Sequence, residues 1–343
     1  MIASDPDRTI RLKKEMESLI RMGYQVEVLK PKFTFNFNSS KILVFIRYLL
    51  TAFQLLFYKA DIFHVHNNPD IGFFVLFKKG KFVYDTRNPW GREVYDLTGC
   101  YSISRICEWI ERTLTMRANI VIAANSRLAE RVKEWGKSQV FIVPNYPSKT
   151  FRPTIEPKKM KILHNLGRKK IVVFAGNFSK VECALDLVKL FPQVLKEVPN
   201  SILIMVGDGL QKPLMQDFIK TKKLEESVIL TGRLPRLEVP NWLAIADVIA
   251  VPRDARMRSA PFYCPESIWK VTEALFLGKP VLGSPVGGFI ETSWESVKNA
   301  PLELFHKTLA KMLKNPPKTK IPDNLMWDYC EKQLKLAYER LRL

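Results

Sequence analysis

Pro265-Glu266-Ser267-Ile268-Trp269-Lys270-Val271-Thr272-Glu273-Ala274-Leu275-Phe276-Leu277-Gly278-Lys279-Pro280-Val281-Leu282-Gly283-Ser284 is the stretch on which the reading of the chain turns. Its pattern predicts a loop, a short helix, a tight stop and a buried strand. Ile268, Val271, Leu275 and Phe276 recur at helical spacing. Gly278 suits a left-handed helix end, and Pro280 forbids continuation. Lys270 and Glu273 stand one turn apart near the start of that helix. A helix start favours anions through its N–H groups and dipole, so a lysine there makes a place for phosphate. A carboxylate one turn later is placed to accept hydrogen bonds from sugar hydroxyls.

Outward from this stretch, strands and helices alternate with short turns. Towards the N-terminus lie strand patterns at 171–176, 201–206, 228–234 and 247–252, with a helix at 240–246. The strand at 171–176 runs into Gly176-Asn177-Phe178-Ser179-Lys180, and that at 201–206 into Gly207-Asp208-Gly209. Earlier still, strands are expected at 26–29, 60–66, 81–85, 120–123 and 140–143, with helices at 11–22, 41–58 and 102–117. Asn125-Ser126 begins another helix. Only Met1-Ile2-Ala3 precede the Ser4-Asp5-Pro6-Asp7 turn, so the first strand is short or the natural chain begins upstream. Such alternation predicts two doubly wound parallel sheets. The predicted boundaries are 1–146 for a first Rossmann-like domain, a proline- and lysine-rich linker at 147–169, a second Rossmann-like domain at 170–322, and a last helix within 323–343.

The chain has 343 residues, 47% of them hydrophobic, which is enough for two cores. Its formal net charge is +20. Such a field draws nucleotide diphosphates, anionic lipid or nucleic acid. No nucleic-acid motif with interleaved aromatics accompanies it, so sequence-specific nucleic-acid binding is not expected. The five cysteines are scattered and form no Cys-x-x-Cys pair, which reads as a reducing, cytoplasmic setting without a zinc site. No signal-peptide pattern opens the sequence. The apolar segment 42–58 is interrupted by Arg47 and Gln54, so it reads as a core helix, or else as one lying on a membrane surface. Asp5-Pro6-Asp7 is turn chemistry rather than a metal motif. His64 and His66 alternate on one strand and face one side, but the neighbouring sequence offers no third ligand, so no metal is assigned. No Gly-x-Gly-x-x-Gly follows a strand, which argues against a dinucleotide-dependent dehydrogenase.

Ser267, Lys270, Glu273 and Gly278-Lys279-Pro280-Val281, in that order, resemble the donor segment of retaining GT-B glycosyltransferases, most like glycosyltransferase family 4. The resemblance runs from Gly176 to Gly288 and includes the Gly207-Asp208-Gly209 and Thr231-Gly232 turns. It implies two Rossmann-like domains facing each other across a cleft, with the last helix crossing back to the first domain. It implies a nucleotide-diphosphate sugar as donor and no cofactor. Lys270, with Lys180, would meet the leaving diphosphate, and Glu273 would accept hydrogen bonds from the nucleotide ribose. Gly232-Arg233-Leu234 would face the base, while Ser267 and Glu266 would lie near sugar or phosphate. Gly176, Asn177, Gly207, Asp208 and Gly209 would form the donor floor. Asp5, His66 and Arg87 would serve the acceptor side. Two departures stand out: Asn177 replaces the family's arginine, and Arg87 replaces its histidine. Glu266 and Glu273 stand one residue closer than the family's usual glutamate pair, which favours Glu273 for that role. Arg253, Arg256 and Arg258 are read either as compensating cations or as a solvated basic loop.

The expectation is a metal-independent retaining hexosyltransferase. It would act on a glycan, a lipid-linked glycan or a small alcohol, in the cytoplasm or peripherally at the inner face of the membrane, as in polysaccharide biosynthesis. A sugar-nucleotide epimerase of the same fold, or a non-catalytic basic binding protein, remains open at this point.

Overall fold

A computed structural model describes residues 1, 10–29, 50, 53–55, 57–66 and 72–342. The chain divides into two compact units: Met1–Asn145 together with Asp328–Leu343, and Tyr146–Trp327.

In the first unit, strands β1 (Ile62–His66), β2 (Lys81–Thr86), β3 (Ile120–Ala123) and β4 (Val140–Ile142) pair in parallel in that order. Helices α1 (Ile10–Arg21), α2 (Trp90–Thr98), α3 (Tyr101–Arg117) and α4 (Ser126–Glu134) surround them in sequence. Val65, Val121 and Tyr84 have no exposed surface, as befits a parallel sheet. Asn125 caps α4, its Oδ1 accepting the Leu128 N–H at 2.8 Å. The last helix, α11 (Trp327–Arg342), belongs to this unit through Asp328–Leu343. Of the strand expected at 26–29, the described residues show two backbone bonds, both to Met1: Leu29 N–H donates to Met1 O at 2.9 Å, and the Met1 amino group donates to Glu27 O at 2.5 Å. Most of the 41–58 helix, Met1-Ile2-Ala3 beyond Met1, and the Asp5 turn lie outside the described residues.

The second unit begins with α5 (Pro157–Leu163), then β5 (Lys170–Asn177), α6 (Ala184–Glu197), β6 (Ser201–Asp208), α7 (Lys212–Thr221), β7 (Val228–Gly232), α8 (Val239–Ala244), β8 (Val248–Val251), α9 (Trp269–Phe276), β9 (Val281–Gly283), β10 (Val297–Asn299) and α10 (Leu302–Lys314). The segment 147–169, read as a linker, folds onto this unit. Pro157 starts α5, and Phe151, Met160 and Leu166 enter the core. All strand pairs are parallel, in the order β10-β9-β8-β5-β6-β7. The chain therefore winds from β5 through β6 to β7, then returns to β8 on the other side of β5. Period-two alternation divides β5 and β6 between two cores. Ile171, Val173, Ile202 and Ile204 pack with α8 and α9, while Val172, Phe174, Leu203 and Met205 pack with α6, α7 and α10. Each such apolar side chain contributes about 1.5–3 kcal/mol by leaving water.

The stop of α9 has a Schellman geometry. Gly278, at φ +68°, donates its N–H to Leu275 O at 2.9 Å, and Lys279 donates to Ala274 O at 2.8 Å.

Candidate active site

In a doubly wound sheet, ligands gather beyond the carboxyl ends of the strands where the winding reverses. Here that place lies between β5 and β8. The loop after β5 carries Glu182, the loop after β8 carries Arg253, and α9 carries Lys270. Arg253 grips the Glu182 carboxylate with both terminal nitrogens, each at 3.0 Å. Lys270 donates to the same Glu182 oxygen that Arg253 Nη1 reaches, and its ammonium lies 4.0 Å from the Phe174 ring centroid. Lys270 and Arg253 are 7% and 3% exposed. Burial disfavours the Glu182 charge, yet Arg253 and then Lys270 override it and bring the carboxyl down to about 2. Burial lowers Lys270 to about 8 against the pull of Glu182, so it remains a cation at neutral pH.

Two glycines make this arrangement possible. A Cβ on Gly176 would stand 2.5 Å from Lys270 Nζ, and one on Gly207 would stand 1.8 Å from Gly176 O. Only bare backbone lets the ammonium and the two strand ends approach so closely. Gly209 extends the same floor, since a Cβ there would stand 2.4 Å from Asn177 Oδ1. Asp208 is ion-paired with Lys212 at 3.0 Å, and Lys212 in turn flanks Gly232.

Glu273 points elsewhere. It is 2% exposed and accepts a hydrogen bond from Arg236, in the loop after β7. Arg236 stacks over Phe151, with its guanidinium carbon 4.4 Å from the ring centroid. Lys270 and Glu273 thus leave α9 towards different partners, one at the β5–β8 reversal and one at the β7 loop. Leu234 is half-buried in that loop and Arg233 is exposed. Glu266 and Ser267 are half-buried in the turn before α9, where Ser267 Oγ donates to Cys264 O at 3.0 Å. Lys180 and Asn177 are exposed. Asp254 is held low chiefly by Arg256, with Lys180 a lesser contributor. Of the three arginines in the 253–258 loop, Arg253 is buried in the ion cluster, whereas the Arg256 side chain is 84% exposed and pairs with Asp254.

Glu182, Arg236 and Lys212 are not signalled by the sequence. A glutamate after Lys180-Val181 carries no periodic signal, and nothing local says that two cations 71 and 88 residues away will close on it.

In the first unit, His66 falls in one buried polar cluster with Glu15, Asp85 and Arg11, and half-buried Arg87 lies close enough for its charge to act on it. Arg11 Nε lies 2.8 Å from carboxylate oxygens of both Glu15 and Asp85. Burial lowers His66 to about 4 despite its contact with Asp85, and the Arg87 charge is felt by both carboxylates. Burial raises Glu15 to about 8 against Arg11. The fold thus brings carboxylates to His64 and His66 that their own neighbourhood in the sequence does not supply. Asp5 lies outside the described residues.

Two Rossmann-like parallel-sheet units, the second with a glycine-floored cation cluster at its winding reversal, define the GT-B class of fold. Residues 156–323 match the family described as Glycosyl transferases group 1, and this part of the chain belongs to that family. A 2-deoxystreptamine N-acetyl-D-glucosaminyltransferase of Streptomyces fradiae is 25% identical over 196 residues, 55% of this chain and 44% of the relative. A GDP-mannose-dependent alpha-(1-6)-phosphatidylinositol monomannoside mannosyltransferase of Mycolicibacterium smegmatis is 27% identical over 150 residues, 43% of this chain and 39% of the relative. The matches thus span less than half the length of these relatives. Among solved structures, the sucrose-phosphate synthase of Thermosynechococcus elongatus superposes with a TM-score of 0.78 at 17% identity, covering 99% of this chain and 98% of that one. Anabaena Alr3699/HepE, solved with UDP and glucose, gives 0.65 at 16% identity over 99% and 94%. At these identities the likeness is one of fold.

Proposed function

We propose that the protein is a glycosyltransferase that takes a hexosyl group from a nucleotide-diphosphate sugar with retention at the anomeric carbon. The observation that carries this reading is the Arg253–Glu182–Lys270 cluster. It is a receptor for an oxyanion, built at the sheet's reversal point on a floor of glycines and occupied here by a carboxylate. A diphosphate presents the same oxygen pattern with more charge and would take the two cations from Glu182. As the glycosidic bond breaks, Lys270 and Arg253 would stabilise the charge growing on the leaving diphosphate, with no metal ion there. Glu273, released from or sharing Arg236, would accept from the ribose, and Gly232, Arg233 and Leu234 would border the base. Glu266 and Ser267 would border the sugar, and Lys180 would approach from the loop after β5. His66 and Arg87 would serve acceptor recognition.

The acceptor class favoured is a lipid-linked glycan at an anionic membrane surface. Among the described residues no helix is long and apolar enough to cross a membrane. Yet α3 exposes Tyr101, Ile106 and Trp109, each more than half accessible, beside exposed Arg105 and Arg112. Apolar side chains flanked by arginines suit an interfacial helix, and the +20 charge supports it. The relative from Mycolicibacterium smegmatis is named for a phosphatidylinositol mannoside.

The test is isothermal calorimetry with a panel of nucleoside diphosphates and their sugars, followed by transfer assays and NMR of the product's anomeric configuration. Binding and transfer with retention are expected. Inversion would overturn the stereochemical reading. A sugar epimerised while still on its nucleotide would replace transfer with epimerisation. Absence of any nucleotide binding would leave Glu182 as the permanent occupant of a non-catalytic protein.

A further inference from the structure

The members of the ion cluster in the second unit are held unequally. The cations are fixed from behind. Arg253 lies over Tyr263, its guanidinium carbon 5.1 Å from the ring centroid, and its backbone N–H donates to Ser284 Oγ at 2.9 Å. Lys270 rests on the Phe174 ring. The side chains of Lys270 and Arg253 are 8% and 3% exposed, against 22% for Glu182. The carboxylate is thus the solvent-side member, seated as a ligand would be. It also fills the receptor incompletely. Its two oxygens accept from Lys270 Nζ and from both terminal nitrogens of Arg253, yet the buried Arg253 Nε has no hydrogen-bond partner among the described residues. An unmet buried donor favours an occupant with more oxygens.

Glu182 reaches the cations from a short turn, residues 179–183, between two anchored neighbours. On one side, buried Phe178 donates its N–H to Asp208 O at 2.9 Å and accepts from the Gln211 N–H at 3.0 Å. On the other, α6 begins at Ala184. Two bonds of the turn close within it: Cys183 N–H donates to Lys180 O at 3.1 Å, and Glu182 N–H to Ser179 Oγ at 3.3 Å. Cys183, the N-cap of α6, has φ +47° and ψ 35°. A residue with a Cβ is strained in that left-handed region, where glycine is not. The turn therefore holds its carboxylate on the cations against a backbone cost, which letting go can relieve.

We propose that Glu182 is a reversible internal competitor for the diphosphate site, with Cys183 as its hinge. An entering donor displaces it; after transfer it returns to the cations and expels the nucleoside diphosphate product. This rests on the glycosyltransferase reading above and adds the return step to it. The geometry allows a stepwise exchange. Arg253 Nη2 holds Oε1 alone, whereas Arg253 Nη1 and Lys270 share Oε2, so one carboxylate oxygen can leave while the other stays. Neither cation is then left bare in the buried site, which would be costly. The reaction itself calls for such a device. Breaking the bond between sugar and diphosphate leaves the product with more negative charge than the donor carried, and two unopposed buried cations would retain it.

The test compares the wild type, Glu182→Gln and Cys183→Gly in calorimetry and stopped-flow binding of UDP, GDP and inorganic pyrophosphate. Glu182→Gln should bind pyrophosphate and the preferred nucleoside diphosphate about 10–100-fold more tightly and release them more slowly, since a charge-assisted rival contact is gone. In a transfer assay its donor KM should fall and its product inhibition strengthen, a pattern that loss of structure does not produce. Cys183→Gly removes the strain of the docked turn and should weaken both ligands about 5–30-fold. A wild-type measurement needs no variant to fold: followed by carbon-13 NMR, the Glu182 carboxyl should show no titration midpoint above pH 3 in the free chain and one near 4.5 or higher with UDP or GDP bound. Unchanged affinity and release in Glu182→Gln, unchanged affinity in Cys183→Gly, or one and the same carboxyl midpoint with and without nucleotide would each overturn this inference and leave the glycosyltransferase reading standing. No nucleoside diphosphate bound by any of the three proteins would instead overturn that reading, and this inference with it.

Discussion

Glu182→Gln isolates the ion cluster. In the native protein the Glu182 carboxyl moves from 4.5 to about 2. A tenfold change in proton affinity is worth about 1.36 kcal/mol, so the folded state favours the charged form by about 3 kcal/mol. The lowered pKa means that this contribution is fully present above about pH 4.5 and disappears as pH falls towards 2. Two features make the figure a ceiling. The Glu182 side chain is 22% exposed, so water supports part of its charge. Lys270, already lowered to about 8, can also shed its proton once its partner is neutral. For a unit the size of Tyr146–Trp327, about 3 kcal/mol corresponds to a fall in melting temperature of about 6–12 °C. The assay is thermal unfolding of both proteins at pH 7 and pH 3. A large difference at neutral pH that narrows to about half or less at pH 3 is expected. A fall of under about 2 °C at pH 7, or a difference that does not narrow at pH 3, would refute the buried-cluster reasoning. The same variant frees both cations, so nucleoside diphosphate should bind it more tightly than the wild type in calorimetry.

Lys270→Ala removes one of the two cations proposed to meet the departing diphosphate and should lower kcat about 10²–10³-fold in a transfer assay; unchanged turnover would remove Lys270 from the mechanism. Glu273→Gln should weaken nucleoside diphosphate binding by about tenfold, the loss of one charge-assisted hydrogen bond, with circular dichroism confirming that the variant is folded. Gly207→Ala forces a Cβ to within 1.8 Å of Gly176 O and should abolish nucleotide binding. By contrast, Gly278→Ala meets nothing nearer than 3.9 Å and should cost only the left-handed backbone penalty of about 1–2 kcal/mol, read by thermal melting. Ile106→Glu with Trp109→Glu should reduce sedimentation with vesicles containing anionic lipid while leaving nucleotide binding unchanged; equal sedimentation would remove α3 from membrane contact.

Much of the fold was legible because its signals are local. Gly278 and Pro280 mark the end of α9 by backbone conformation alone, and the unbroken apolar runs in 171–175 and 202–206 mark strands buried on both faces. The strand order was not written in any stretch, since it depends on which edges pair. The candidate site divides in the same way. Lys270 and the glycine turns were readable from their spacing. Glu182 was not, because its role exists only once β5 and β8 lie side by side. The histidine pair shows the same limit: His64 and His66 announce themselves by alternation, whereas Glu15 and Asp85 join them only through the packing of α1 and the pairing of β1 with β2. Phe151, Met160 and Leu166 were too sparse among prolines and lysines to signal a core, so their segment read as a linker.

The placement of α11 in the first unit has a consequence for biosynthesis. The second unit is one uninterrupted run of chain, Tyr146–Trp327, and can complete its fold as soon as that run leaves the ribosome. The first unit is translated earlier yet must wait for Asp328–Leu343, which brings Tyr338 to His64 and seats Leu334, Ala337 and Leu341 out of water. The order of maturation is therefore the reverse of the order of synthesis. A message cut short before codon 328 would yield a finished rear half attached to an open front half, a natural client for chaperones.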